Sequence, residues 1–340
     1  MTAMTDVATY YAAEAHTSAR TLERPPRECR HSRKFKLFAG GQRLPHRHPS
    51  VDMSPMHGWR HNTPQQLREL EADPEMAKYE DPEYRKDLLG RWDEECLRYA
   101  SHTRRAFVFG ITRALGMVGF FLCLFAGVLY ALTIFFQSLG NTRIDFFERI
   151  ISGGGFILFT YVLTLSMWGG MTLLQKLFPN FAAGAYPGPS WELNRRTGEV
   201  MVAANPRKKR TAWQIAHRLP FHGFDCYLQS TPDYQGSPQY YLSLVHYAEE
   251  VHVSLAGMFG STHSHVEQRA AWDMLQRYMD TSQPLPDIPA FESDRHRDPT
   301  TREHDERTGR DPRFWRDMDD ATYATYVSAN QHKLNAFYRG

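Results

Sequence analysis

Two long stretches without charge constrain this chain more than any other feature. Residues 114–136, ALGMVGFFLCLFAGVLYALTIFF, contain no charged side chain. As a helix they would rise about 34 Å, enough to cross a hydrocarbon core of about 30 Å. A second uncharged run covers residues 150–174. A buried hairpin in a water-soluble core would show shorter apolar runs with a polar face, and neither run does. The spacing therefore predicts a two-helix transmembrane hairpin over 106–178, with a short loop at 137–149. No basic-then-apolar pattern opens the chain, so no cleavable signal peptide is expected.

The loop charges Arg143, Asp145, Glu148 and Arg149 cancel. Arg98, Arg104, Arg105 and Arg113 precede the first span, and Lys176, Arg195, Arg196 and the run Arg207, Lys208, Lys209, Arg210 follow the second. That asymmetry predicts both termini in the cytoplasm and the loop outside. Small residues recur at four-residue spacing, Gly127 with Ala131 and Ser166 with Gly170, the pattern that lets membrane helices approach within the hairpin or in a homo-oligomer. It also matches the ordinary abundance of glycine in membrane helices. Neither span carries Asp, Glu, Lys, Arg or His, so a proton or ion pathway has no ionisable residue to use.

Residues 1–61 are rich in Arg, His and Pro and poor in branched apolar residues, a composition that predicts loops or extended chain. Over 62–105 two cytoplasmic helices are expected. Thr63-Pro64 with Gln66 has the form of a capping box with proline at the first helical position, and Asp81-Pro82 repeats the cap and proline. The second helix is expected to run into the membrane, with Tyr84, Leu88, Trp92, Cys96 and Tyr99 on one face and the C-terminal domain as the partner of that face.

Beyond the second span the period changes. Trp191-Glu192-Leu193 and Val200-Met201-Val202 alternate about the turn Asn194–Gly198, a hairpin signature. Alternation at Trp213 and Ile215, then at 224–228, 240–246 and 251–255, predicts further strands. Ser264 with Glu267 makes a capping box for a helix whose Val266, Ala270, Met274, Leu275 and Tyr278 share a face. The fold class expected is membrane α + β, in which 179–281 is a small antiparallel cytoplasmic β domain closed by a helix. Residues 282–340 follow as an extension rich in proline and charge. Asp294 to Asp311 reads as turn-rich, whereas Phe314, Trp315, Tyr323, Tyr326, Val327, Asn330, Leu334 and Phe337 keep helical spacing and predict a terminal helix docked on the domain.

The order of elements over about residues 114–280 resembles bacterial membrane proteins with a pleckstrin-homology-like domain. More specifically, Trp191-Glu-Leu-Asn-Arg-Arg-Thr-Gly198, Tyr278-Met-Asp-Thr-Ser-Gln-Pro-Leu-Pro-Asp-Ile-Pro289, Asp298-Pro-Thr-Thr301 and Thr308-Gly-Arg-Asp-Pro-Arg-Phe-Trp-Arg316 resemble an uncharacterised family of two-span proteobacterial membrane proteins. Members are often associated with type VI secretion and toxin loci. The resemblance implies a bacterial inner-membrane location and an immunity or accessory role, with a toxin or secretion component as protein partner. It supplies no catalytic residues.

Chemistry finds little purchase. His222, His246, His252, His263 and His265 invite a metal, but Cys29, Cys96, Cys123 and Cys226 are scattered and no pair has ligand spacing. No metal, cofactor or disulfide framework is expected. There is no Gly-x-Ser-x-Gly elbow and no Walker or Rossmann glycine loop. Ser261, Ser264, His263 and Asp273 assemble into a triad only on paper, since a helix cap explains Ser264 with fewer assumptions. A non-enzymatic protein is expected. With 40 basic against 38 acidic residues, composition makes no case for nucleic acid. Arg207, Lys208, Lys209 and Arg210 remain as a candidate contact for anionic lipid or an acidic partner, lipid being favoured because the domain is tethered to that surface. The rival to the immunity reading is an oligomeric scaffold or regulator.

Overall fold

The polar flanks of the two apolar runs interleave in the fold. The computed structural model describes residues 10–23, 41–56, 63–140, 146–178 and 184–339. In chain order it forms β1 (Gln42–Leu44), α1 (Pro64–Ala72), α2 (Pro82–Lys86), β2 (Arg91–Trp92), β3 (Cys96–Tyr99), α3 (Arg104–Gly140), α4 (Phe146–Leu177), β4 (Trp191–Asn194), β5 (Glu199–Ala203), β6 (Ile215–Pro220), β7 (Phe224–Pro232), β8 (Pro238–His246), β9 (Val251–Ser254), α5 (His265–Met279), α6 (Pro299–Thr308) and α7 (Asp320–Arg339), with short 3₁₀ segments between some of them. Two compact units result, Met1–Ala100 with Pro187–Gly340, and Ser101–Tyr186.

The smaller unit is the helical hairpin. Its helices, of 37 and 32 residues, rise about 55 and 48 Å, and both are long and apolar enough to cross a membrane. Phe121, Leu122, Phe125, Phe156, Leu158 and Phe159 stay exposed along them, where a helix of a water-soluble core would bury its apolar surface. Thr112, Thr133, Thr160 and Thr172 donate their hydroxyls to carbonyls four residues back, so these polar atoms need no water.

The larger unit contains two antiparallel sheets, of order β2-β3-β4-β5-β6 and β1-β7-β8-β9. Leu97, Leu193 and Val200 from the first and Cys226, Leu242 and Leu244 from the second enter one core with Trp272, Leu275 and Tyr278 of α5, all fully or almost fully buried. Burial on that scale stabilises by roughly 1.5–3 kcal/mol per large side chain. The β4–β5 turn closes on Gly198 at φ +75°, and a Cβ there would lie 2.5 Å from the His16 backbone nitrogen, so glycine is required both by conformation and by space.

Several expectations change. The helix expected from Asp81 into the membrane stops at Lys86. Asp93 accepts from the amides of Glu95 and Cys96 and turns the chain into the β2–β3 hairpin. Leu97 and Tyr99 then face the core at strand period, and Arg98 meets Glu192 directly across on β4 at 2.6 Å. The helical spacing of Trp92, Cys96 and Tyr99 does not describe a shared face, since Cys96 and Tyr99, three residues apart on one strand, point to opposite sides of the sheet. The β domain is likewise not confined to 179–281, because β1, β2 and β3 complete its sheets from the N-terminal side. Of the region 1–61 read as loop, Gln42–Leu44 is a strand and Ser18–Glu23 a 3₁₀ turn; residues 1–9, 24–40 and 57–61 lie outside the described residues, as do 141–145 of the outer loop. The stretch read as turn-rich contains α6, capped by Asp298 through the Thr301 amide and ended by Gly309 in the left-handed region.

The Thr63–Gln66 capping box forms with both of its bonds, and Ser264 caps its helix by accepting from the Glu267 amide, half of the box expected there. The terminal helix docks, with Leu334 and Tyr338 burying against Met53, Val266 and Ala270. Tyr323 and Trp315 enter the main core, whereas Phe337 and Tyr326 stay exposed.

Candidate functional site

The basic run lies in the loop between β5 and β6, and that loop is held at both ends. Asn205 accepts from the Arg207 amide through its side chain and from the Thr211 hydroxyl through its carbonyl. The Ala204 amide closes the loop on the Gln214 carbonyl at 2.8 Å. Arg207, Lys208, Lys209 and Arg210 are all exposed at its tip. Ala212, in contrast, is buried. Its carbonyl lies so near Gly188 that a Cβ at that glycine would come within 2.0 Å of it. Trp213 and Ile215 follow, each close to half exposed, with the Arg98 guanidinium 5.4 Å from the Trp213 ring. Sequence alternation marks Trp213 and Ile215 as one side of a strand. The strand begins only at Ile215, with Trp213 in the turn before it, and both side chains meet solvent instead of the core.

Two of the cations counted toward topology are spent inside the fold. Arg98 is paired with Glu192, and Arg195 has no exposed surface. Arg195 donates to both carboxylate oxygens of Asp298, at 3.0 and 3.2 Å, and to the carbonyls of Tyr278, Asp280 and Gln283. Tyr11 and Thr301 also donate to Asp298. Burial alone would raise the Asp298 carboxyl, but the adjacent guanidinium together with the hydrogen bonds from Thr301 and Tyr11 outweighs it and holds the group below the usual carboxylate range. Nearby, the Trp315 indole and Arg310 both donate to Asp287. The four sequence motifs quoted above thus meet one another as supports of the core. Sequence reading singled out these segments without finding this pairing.

The paper triad dissolves. Ser264 caps α5, His263 sits 3.1 Å from the Pro238 carbonyl, and Asp273 is occupied by Tyr338, Arg47 and Gln276. Burial pushes the thiols of Cys96 and Cys226 well above their ordinary range, which removes nucleophilic character. Among the described residues no group of three or more His, Cys, Asp or Glu is placed to hold a metal ion. Sequence reading missed His16, which is buried against Phe221 at 5.0 Å with neither ring nitrogen hydrogen-bonded; burial lowers it to about 4. A cavity of about 230 Å³ lined by Arg85, Arg91, Asp294 and Arg297 is internally neutralised by the pairs Arg85–Glu94, Arg91–Asp93 and Arg297–Asp294.

The helix-packing residues are only partly those expected. A Cβ at Gly127 would lie at ordinary contact distance, 3.7 Å, from the Ile157 side chain, but one at Gly170 would meet nothing within 4 Å, and Ser166 is exposed, its hydroxyl donating to the Leu163 carbonyl. Ala131 is half-buried. The close approach is at Gly116 and Gly119, where a Cβ would come within 2.6 Å of the Trp168 amide and 2.8 Å of the Thr164 methyl. Phe120 fills the gap between Tyr161 and Trp168.

Compared with protein-family models, with curated proteins and with solved structures, the chain matches none of them.

Proposed function

We propose that this is a non-enzymatic inner-membrane protein whose hairpin tethers one cytoplasmic protein-binding domain. The observation that carries the reading is the pairing of β3, which precedes the hairpin, with β4, which follows it. Strands that pair must share a compartment, so the chain between them crosses a membrane an even number of times, which two apolar helices satisfy. The exposed cations Arg104, Arg105 and Arg113 at one end and Arg207, Lys208, Lys209 and Arg210 at the other favour the cytoplasmic side for that shared compartment. Two antiparallel sheets with α5 against them suit a pleckstrin-homology-like domain, which would be interrupted after β3 by the hairpin.

The partner class comes from the resemblance to two-span proteins of type VI secretion and toxin loci. The domain binds a toxin or a secretion component, as an immunity or accessory protein. Purification of the intact chain from native membranes in mild detergent, followed by mass spectrometry, should retain such a component, and deletion should sensitise cells to an adjacent toxin in competition. Recovery of the chain alone, with unchanged survival, would sink this reading and leave the oligomeric scaffold.

A further inference from the structure

We propose that the loop 205–215 is an interfacial anchor that seats the folded unit on an anionic lipid surface. This rests on reading the hairpin as membrane-spanning, and adds a second, reversible attachment to it. Three observations carry the proposal. First, residues 200–224 contain no Asp or Glu, and within them Arg207, Lys208, Lys209 and Arg210 stand consecutively and exposed. Such a field draws anionic headgroups. Second, the cations adjoin an exposed aromatic and an exposed branched side chain, Trp213 and Ile215. Cations beside exposed apolar groups are what a bilayer interface accommodates, the ammonium and guanidinium groups at the phosphates and the indole at the carbonyl level. An acidic protein partner would be met by the charges and would leave the indole unexplained.

Third, the loop is fixed where the chain turns toward the hairpin. Ala212 is wedged on Gly188, in the segment that returns from α4 to β4, and Trp213 rests on Arg98 of β3, the last strand before α3. A loop free to swing would spread its cations over many orientations. This one carries them on a base pinned at Gly188 and Arg98 of the same unit.

The test uses the full chain reconstituted in vesicles of phosphatidylcholine, with or without phosphatidylglycerol, containing a doxyl-labelled lipid as quencher. Cys96 and Cys226 are buried and do not take up a thiol-reactive NBD label, so Cys29→Ser, Cys123→Ala and Gln214→Cys together place one label beside Trp213. A label introduced by Gln235→Cys, at the exposed tip of the β7–β8 turn, is the reference. Native Cys123, labelled in a Cys29→Ser background, reports on the hairpin. The label at 214 should lose emission in phosphatidylglycerol vesicles and keep it in phosphatidylcholine. The loss should vanish at about 1 M salt, where the Debye length is about 3 Å, and in a variant carrying glutamine at all four basic positions. If position 214 is quenched no more than position 235 while Cys123 is quenched in both lipids, the anchor is refuted and the hairpin reading stands. If Cys123 itself escapes quenching, the membrane reading fails and the anchor falls with it.

Discussion

Arg195 is a guanidinium with no contact with water, in a position where burial of an ion costs several kcal/mol. Its five N–H donors are met by the Asp298 carboxylate and three carbonyls, so the fork of the side chain ties the β4–β5 turn to the end of α5 and the start of α6. Removing one partner leaves the other charged and alone. Arg195→Met should therefore lose about 3–5 kcal/mol of stability, read as a lowered urea midpoint by tryptophan fluorescence. Arg195→Lys should not restore it, because a point charge cannot address two carboxylate oxygens and three carbonyls at once. Asp298→Leu added to Arg195→Met should cost much less than the two single losses summed. A single-variant loss below about 1 kcal/mol, the scale of an exposed pair, would remove the pair from its structural role. Because Asp298 titrates below its unfolded value, its contribution is complete at neutral pH and is lost as the pH falls below about 4.

At the scale of elements, the hairpin depends on absence of side chain at two points of α3. Gly116→Leu should separate the helices, since even the first added carbon would sit 2.6 Å from the Trp168 amide, whereas Gly170→Leu should be neutral because nothing lies within 4 Å of that position. Disulfide trapping between cysteines placed on the two helices should fall for the first variant and persist for the second; equal trapping would mean that the approach at Gly116 does not hold the pair. Features of this kind divide by range. The apolar runs and the caps at Thr63, Asp81 and Ser264 were legible because each is decided within a few residues. The β2–β3 hairpin was not, because locally it has only the pairs Arg91–Arg98 and Trp92–Leu97, and its other sheet edge is filled only when β4 arrives from the far side of the hairpin. Without β4 in view, the helix period of Trp92, Cys96 and Tyr99 has no visible rival in so short a strand, although Leu97 and Tyr99 are the pair that shares its core face. The basic loop was legible as charge, but its wedge at Gly188 and the exposure of Trp213 depend on contacts between distant segments.

For the whole molecule, the hairpin is an insertion into a domain that closes without it. Tyr99 and Trp191 pair directly, and the Ser190 amide donates to the Tyr99 carbonyl at 2.7 Å, so the two ends of the excursion are already adjacent. Replacing residues 101–186 by a short glycine–serine turn should give a protein that needs no detergent and shows cooperative thermal unfolding by circular dichroism. An aggregated or uncooperative product would make the hairpin part of the fold. The same insertion imposes an order in time. Residues before α3 leave the ribosome first, yet their strands β2 and β3 have no sheet to join until both apolar helices have been synthesised and β4 has followed. At translation rates of about 5–20 residues per second the N-terminal flank waits on the order of ten seconds. Throughout that interval Trp92 and Leu97 lack their eventual cover. Synthesis of the whole hairpin and of β4 is thus a precondition for closing the sheet, and a chain arrested before β4 should present an open sheet edge to chaperones and proteases.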